Sequence, residues 1–325
     1  MNTKKVSLAV LSVIIIMMLA GEAMVYVANP YDYSSDVTYG DDGPGYTVES
    51  SAAADFRVIQ TVHGDMVPIS EYYVYCDTRY GSMNAPNDER PAENIIRELA
   101  LRGVESEIID ADELRQTFLE GRAEGVAVVF TYGSLPSTVY TGDPDDPFFK
   151  WFDRGGSAYW FGTTIGRYVA TDDGGSHVVQ DFERLFFGEG NMSYMLDDRI
   201  GSVQTEAADV FCIRAADARF GISASVPGSL EVGYVTEDGF SSASLVPFGS
   251  GMLGVVSGVF DNAGRGSFAQ LIASGMTYDS RTISVEDVHV RGGSHSGDLS
   301  DVPRSHVYIF AGGYYTCHAS THEMD

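Results

Sequence analysis

The sequence predicts an α/β fold, a doubly wound, mostly parallel sheet with a β-rich C-terminal extension. Three observations carry this expectation. Between residues 72 and 161, short strand-like runs (YYVYC, VESEII, VAVVF, AYWF) alternate with stretches of helical spacing, the order that right-handed βαβ crossovers produce. Residues 126–130 (VAVVF) are apolar at every position, as a strand must be when helices cover both of its faces. Beyond residue 202 the chain becomes richer in Gly and Ser, and its apolar runs have strand length.

In order along the chain, residues 72–76 (YYVYC) read as the first strand because aromatic and β-branched residues suit a pleated, buried surface. Pro91 opens a helix with Ala92, Ile95, Ile96 and Leu99 on one face, and Gly103 stops it. Residues 104–109 form the second strand. Asp110 and Glu113 have the spacing of a capping box for a helix carrying Leu114 and Phe118, which ends at Gly121. Residues 126–130 follow as the third strand. Asp146 and Pro147 start a short helix with Phe148, Phe149 and Phe152 inward, Gly155 and Gly156 end it, and residues 158–161 (AYWF) form the fourth strand. Val178, Val179, Phe182, Leu185 and Phe186 continue the helical spacing. Residues 230–235, 252–259, 283–290 and 307–310 read as strands, and 268–274 (FAQLIAS) as a helix.

At the N-terminus, Lys4 and Lys5 precede an unbroken apolar run over residues 6–20. The run continues after Gly21 and Glu22 as residues 23–28, and the stretch lies between the ~7–15 residues of a signal-peptide core and the ~20 of a membrane span. Either reading, a signal-anchor or a cleaved signal over residues 1–28, exports the remainder, since positive charge stays on the cytoplasmic side. The expected organisation is therefore a membrane-targeting segment over 1–28, a Gly-, Ser- and Asp-rich linker over 29–55, an α/β domain over 56–275 and a β-rich extension over 276–325.

The 325-residue chain has 46 Asp and Glu against 20 Lys and Arg, a net charge of -26. Without Lys4, Lys5 and Glu22 the exported part has 18 basic and 45 acidic residues, or -27. Such a surface stays soluble and draws cations diffusely. It argues against nucleic acid, whose binding requires clustered positive charge. Cys76, Cys212 and Cys317 are widely spaced and make no C-x-x-C pair, so no disulfide framework or pairing is specified. Asn191-Met192-Ser193 is the one glycosylation sequon.

After the fourth strand comes Gly162-Thr163-Thr164-Ile165-Gly166. This turn resembles the nucleophile elbow G-x-C-x-G of the class I glutamine amidotransferase-like superfamily, whose sheet is flavodoxin-like. Gly155-Gly156 before the elbow strand and Gly249-Ser250-Gly251-Met252 leading into VVSGVF are similar to features of membrane-associated, non-enzymatic relatives of that fold. The resemblance spans about residues 70–275. In the family's enzymes the elbow cysteine is the nucleophile; here Thr164 stands at that position, and a threonine hydroxyl needs an adjacent base. The late histidine-proline-glutamate of those enzymes is also missing, because Val290 follows His289 and Glu323 follows His322. The resemblance thus implies a relative without glutaminase activity.

In open α/β sheets, ligands bind outside the carboxyl ends of the strands. The predicted ends bring together Asp77, Arg79 and Tyr80, then Asp110, then Tyr132, Gly133 and Ser134, then Thr163 and Thr164. Tyrosine faces with Asp and Arg suit a polysaccharide or peptide ligand. The same residue types also serve as ordinary turns and caps. Cys317, His318 and His322 lack a fourth metal ligand, and Asp143, Asp145 and Asp146 lack the glycine and glutamate of a calcium loop. No phosphate-binding Gly-Lys-Ser/Thr loop or Ser-centred elbow occurs, so neither cofactor nor metal is expected.

The function expected from the sequence is a membrane-anchored, extracytoplasmic binding or interaction module, an accessory protein of the cell envelope with an envelope protein, polysaccharide or peptide as partner. Two other classes remain open. One is an exported hydrolase using Asp77 or Asp110 as acid or base near His306; the other is a subunit of an envelope or transporter complex.

Overall fold

The computed structural model describes residues 35–39, 45–62, 67, 69–81, 90–131, 133–194, 203–211, 213, 220–258, 262–274, 282–298, 305–311 and 320–324. Residues 1–28, Tyr132, Cys212, Cys317 and His318 lie outside them. Among the described residues no helix is long and apolar enough to cross a membrane. The chain divides into two units. One comprises Met1–Arg57, Asp287–Val302 and Ala311–Thr316; the other comprises Val58–Glu286, Pro303–Phe310 and Cys317–Asp325.

The larger unit is organised around a seven-stranded sheet. Strand β1 (Glu71–Tyr75) leads to helix α1 (Arg90–Ala100), edge strand β2 (Glu107–Ile109), helix α2 (Ala111–Glu120) and central strand β3 (Val126–Phe130). Helix α3 (Pro147–Asp153) and strand β4 (Ser157–Gly162) follow. β3 pairs parallel with β1 on one side and β4 on the other, and β1 pairs parallel with β2. The apolar run that predicted a doubly covered strand is buried at all five positions of β3.

The sheet is completed from far along the chain. Strand β5 (Tyr168–Ala170) and strand β6 (Met192–Tyr194) belong to other sheets, and the seven-stranded sheet resumes only with β7 (Ala243–Phe248) and β8 (Gly251–Ser257). β8 pairs parallel with β4, whereas β7 and Leu230–Glu231 are added antiparallel at that edge. Gly251 permits the approach: a Cβ there would lie 1.8 Å from the carbonyl oxygen of Gly156. Helix α4 (Asn262–Ala273) then packs against α1.

This topology corrects the expected doubly wound, mostly parallel sheet with a single β-rich extension. The connection between the parallel neighbours β4 and β8 is not one helical crossover. It carries β5 and Ser176–Val178, which form a three-stranded mixed sheet with Leu135–Pro136 from the connection between β3 and β4, together with a five-stranded antiparallel sheet containing β6, Phe220–Ser223, Phe240–Ser241, Tyr234–Val235 and Val203–Gln204. The molecule is therefore a multi-sheet, mixed α and β structure. Short Gly-interrupted runs specify strands, but their pairing depends on long-range contacts that periodicity does not encode. The predicted strand over 230–235 accordingly splits, its first half in the large sheet and its second in the five-stranded one. The helical spacing from Val178 yields strand Ser176–Val178 and then a short helix, Phe182–Phe186.

Local signals explain the helices. In α1, Ala92, Ile95 and Leu99 are fully buried at the predicted spacing, and Val104 N–H reaches back to the Leu99 carbonyl at 3.0 Å. At α2, Asp110 Oδ1 accepts from the N–H groups of Asp112 and Glu113, both at 2.9 Å, and Glu113 Oε2 accepts from Asp110 N–H at 3.0 Å, forming the capping box. Helix α3 is held by its aromatic side chains. Phe118 of α2 stacks on Trp151 with ring centroids 4.4 Å apart, and Phe148, Phe152, Phe186 and Phe248 extend the cluster. Burying each such ring contributes roughly 1.5–3 kcal/mol.

In the smaller unit, strand Ser35–Tyr39 pairs antiparallel with residues 46–50 of the long strand Gly45–Val62, and Thr282–Asp298 also pairs with that strand. Part of the stretch read as linker is thus strand. His289 Nδ1 lies 2.7 Å from Asp55 Oδ1. In the larger unit, the strand Ser305–Ala311, which belongs to it up to Phe310, pairs antiparallel with Ser320–Met324, placing His306 opposite Glu323. The side chains of His306 and His322 lie outside the described residues.

Candidate functional site at the strand ends

The registers Tyr75 with Ile109, Tyr75 with Phe130, and Phe130 with Trp160 bring the carboxyl ends of β2, β1, β3 and β4 to one level. Residues immediately beyond those pairs meet at one edge of the sheet.

Beyond β1, the chain turns through a short 3-10 segment, Thr78–Tyr80, capped by Asp77. The Asp77 carboxylate is buried and saturated with donors. Its Oδ1 accepts from Arg79 N–H at 2.9 Å and Arg79 Nε at 3.0 Å, and its Oδ2 accepts from Arg79 Nη2 at 2.7 Å and Ala111 N–H at 3.1 Å. Burial raises the proton affinity of this carboxyl, but the hydrogen bonds from Arg79 and Ala111 and the guanidinium charge outweigh it and hold Asp77 below the usual carboxylate range. Arg79 Nη2 also lies 3.1 Å from Asp112 Oδ2 and 3.5 Å from Asp110 Oδ2. One guanidinium therefore faces three carboxylates, two of them at the start of α2. Beside it, Tyr80 is buried, with the Arg79 guanidinium carbon 5.8 Å from its ring centroid. Burial first, and then the Asp172 charge, raise the Tyr80 phenol above its ordinary value.

Beyond β3, Thr131 is 7% exposed and Ser134 is 2% exposed. Among the described residues, neither Thr131 Oγ1 nor Ser134 Oγ has a hydrogen-bond partner. Each hydroxyl can donate once and accept twice, and a buried unpaired one costs roughly 1–3 kcal/mol. Gly133 between them presents its carbonyl to Thr163 Oγ1 at 3.5 Å, and a Cβ at Gly133 would lie 2.3 Å from that oxygen.

Beyond β4, Gly162 (φ 109°) and Gly166 (φ 77°) adopt backbone angles that side chains disfavour. Phe186 also packs where a Gly166 side chain would stand. The carbonyl of Thr163 accepts from Trp160 Nε1 at 2.5 Å, and the Gly166 carbonyl accepts from the buried Tyr140 hydroxyl at 2.9 Å. Burial, with Asp146 nearby, raises the Tyr140 phenol and keeps it protonated as a donor. These bonds fix the elbow, and Thr164 at its apex position is 7% exposed. Among the described residues, no histidine or carboxylate hydrogen-bonds to Thr164.

The predicted residues thus separate by role. Asp77, Arg79 and Asp110 form one ionic network with Asp112; Gly133 and Thr163 touch; Ser134 is a buried hydroxyl; Tyr80 borders Arg79. Tyr132 lies outside the described residues. Asp110 is committed to capping α2, and Asp146 binds the N–H groups of Thr141, Gly142 and Asp143, a turn role. Among the described residues no cluster of three or more His, Cys, Asp or Glu could hold a metal ion. Sequence reasoning missed Asp112, the Ala111 N–H and Thr131. Thr131 was legible as the polar residue ending VAVVF, whereas the Ala111 contact arises only when two strand ends meet.

No family model matches the chain, and no curated protein matches it. Solved structures with partial similarity include an exo-beta-1,4-mannosidase, Op5Man5, from Opitutaceae bacterium strain TAV5, 15% identical with a TM-score of 0.34 over 63% of this chain and 33% of that one. A beta-galactosidase from Rahnella sp. R3 is 14% identical with a TM-score of 0.39, over 63% of this chain and 31% of that one. A beta-galactosidase from Bacillus circulans sp. alkalophilus is 12% identical with a TM-score of 0.38, over 76% of this chain and 36% of that one. These similar structures are glycosidases, and the chain spans about a third of their length.

Proposed function

We propose that the chain is an extracytoplasmic binding module, tethered or exported through residues 1–28, that holds a polar ligand at the strand ends without covalent catalysis at Thr164. The observation that carries this reading is the pair of buried, unpartnered hydroxyls of Thr131 and Ser134 beside the Asp77 and Arg79 network. A polar ligand group would complete their hydrogen bonding.

The electrostatics narrow the ligand class. Asp77, Asp110 and Asp112 outnumber Arg79 three to one at this edge, so a neutral polyhydroxylated ligand, such as a sugar of an envelope polysaccharide, is favoured over an anion. Asp77, already accepting five hydrogen bonds, suits a fixed charge better than a proton shuttle. The elbow resemblance to amidotransferase-like proteins is kept as part of this proposal, with Thr164 as a wall residue.

Saturation-transfer NMR of the full-length chain with a panel of neutral mono- and disaccharides tests it. Saturable binding by the wild-type chain that disappears in the double variant Thr131→Val/Ser134→Ala supports the reading. Glutamine or glycoside hydrolysis by the wild-type chain, abolished by Thr164→Ala or Asp77→Asn, overturns it.

A further inference from the structure

Arg167, the residue after the elbow, has surroundings that the strand-end reading does not use. Its backbone is fixed on both sides: the preceding carbonyl of Gly166 accepts from Tyr140, and its own carbonyl accepts from Val179 N–H at 2.9 Å. The guanidinium carbon lies 5.4 Å from the ring centroid of Tyr168 in β5 and 5.7 Å from that of Tyr194 in β6. A guanidinium held over two rings by cation–π attraction keeps its N–H donors in the plane of the group.

No carboxylate pairs with Arg167 among the described residues, in a chain with 46 acidic side chains. Arg79, Arg102 and Arg122, by contrast, all have acidic partners. Arg97, Arg115, Arg154, Arg184 and Arg291, for which no acidic partner is seen among the described residues, are exposed; Arg167 is half-buried. Glu183, the acidic group that influences Tyr194, has its Oε1 occupied by Met192 N–H at 3.1 Å. Tyr194 remains 43% exposed, so the edge of the pair is open to solvent.

We propose that Arg167, positioned by Tyr168 and Tyr194, binds the carboxylate of an acidic ligand through its planar donor edge. The fork geometry of arginine matches a carboxylate bidentately. In so acidic a protein, an aromatic-held cation without an acidic partner is a local departure from the surrounding negative field and selects an anion there.

The test measures binding of D-glucuronate, D-glucose and N-acetylglycine to the full-length chain by NMR titration at low and moderate salt. Saturable binding of glucuronate and N-acetylglycine, weakened by salt and by Arg167→Gln, is the expected result, whereas any binding of glucose at the strand ends should respond to neither. Glucuronate alone identifies a sugar acid as the source of the carboxylate, and N-acetylglycine alone a peptide terminus. Arg167→Gln should weaken binding at least tenfold, with Arg167→Lys intermediate because it keeps charge but loses the fork. Tyr194→Leu should also weaken it, and circular dichroism verifies that each variant is folded. Asp77→Asn should leave this binding unchanged, which separates the site from the strand-end reading. Binding of the acids by Arg167→Gln at wild-type strength, or no saturable binding of either acid, overturns the proposal.

Discussion

Arg79 Nη2 lies 2.7 Å from Asp77 Oδ2, and the oxygen it contacts also accepts the N–H of Ala111 at 3.1 Å. A single carboxylate therefore joins the end of β1 to the start of α2. Asp77→Ala should cost about 1–3 kcal/mol, because a buried N–H loses its acceptor. Arg79→Ala should cost less, since the Arg79 side chain is 51% exposed and screened by solvent. Urea unfolding of both variants checks the order; equal losses would show that the ion pair, not the Ala111 bond, dominates.

The same network predicts a pH dependence. The folded-state pKa of Asp77 is depressed, so the native state binds fewer protons than the unfolded chain in the acid range. Its stabilisation is fully present above the unfolded carboxylate pKa, about 3.9, and is lost as pH falls through the folded value. Asp77→Asn should flatten the decline of the melting temperature between about pH 5 and pH 2. Some slope should persist from Asp173, lowered by hydrogen bonds from Thr171 and Gly175.

The buried hydroxyls separate stability from function. Thr131→Val and Ser134→Ala remove unpartnered polar atoms and keep similar or smaller volume, so each should be neutral or slightly stabilising. Sugar binding should nevertheless fall. Calorimetric melting beside the NMR titration gives both readouts, and a loss of more than about 2 kcal/mol would show that these hydroxyls are satisfied in the native protein.

Close packing at Gly251 should make that position intolerant. Gly251→Ala would place a methyl group 1.8 Å from the Gly156 carbonyl oxygen, and relief requires the paired strands β4 and β8 to move. A loss of at least about 1–3 kcal/mol is expected, whereas Gly174→Ala, with nothing nearby but a positive φ, should cost about 1 kcal/mol. Thermal unfolding of the two variants compares them directly.

Much of the first half was legible because its signals are local. The capping box of Asp110 and Glu113, the buried stripe Ala92, Ile95 and Leu99, and the wholly buried VAVVF strand each depend on neighbours within a few residues. The candidate site was legible to the extent that it follows strands ending in sequence order: Asp77, Gly133 and Thr163 were found in this way. Asp112 was missed because it reads as an ordinary first-turn acid. Its contact with Arg79 exists only because β1 and β2 are paired.

The sequence by itself determined the capped, amphipathic and aromatic helices Arg90–Ala100, Ala111–Glu120 and Pro147–Asp153 and the wholly apolar strand Val126–Phe130. It also determined the acidic balance, whose excess of carboxylates surrounds Arg79 but leaves Arg167 without an acidic partner among the described residues. Only the tertiary structure decided which strands share a sheet, that β4 and β8 are neighbours despite the strands of other sheets between them in the chain, and that β7 pairs antiparallel with both β8 and Leu230–Glu231. Likewise it alone left Thr131 and Ser134 buried without partners and set Tyr194 beside Arg167. The reason is physical: helix and turn signals repeat over three or four residues, whereas strand pairing and burial are settled by contacts between residues far apart in the chain.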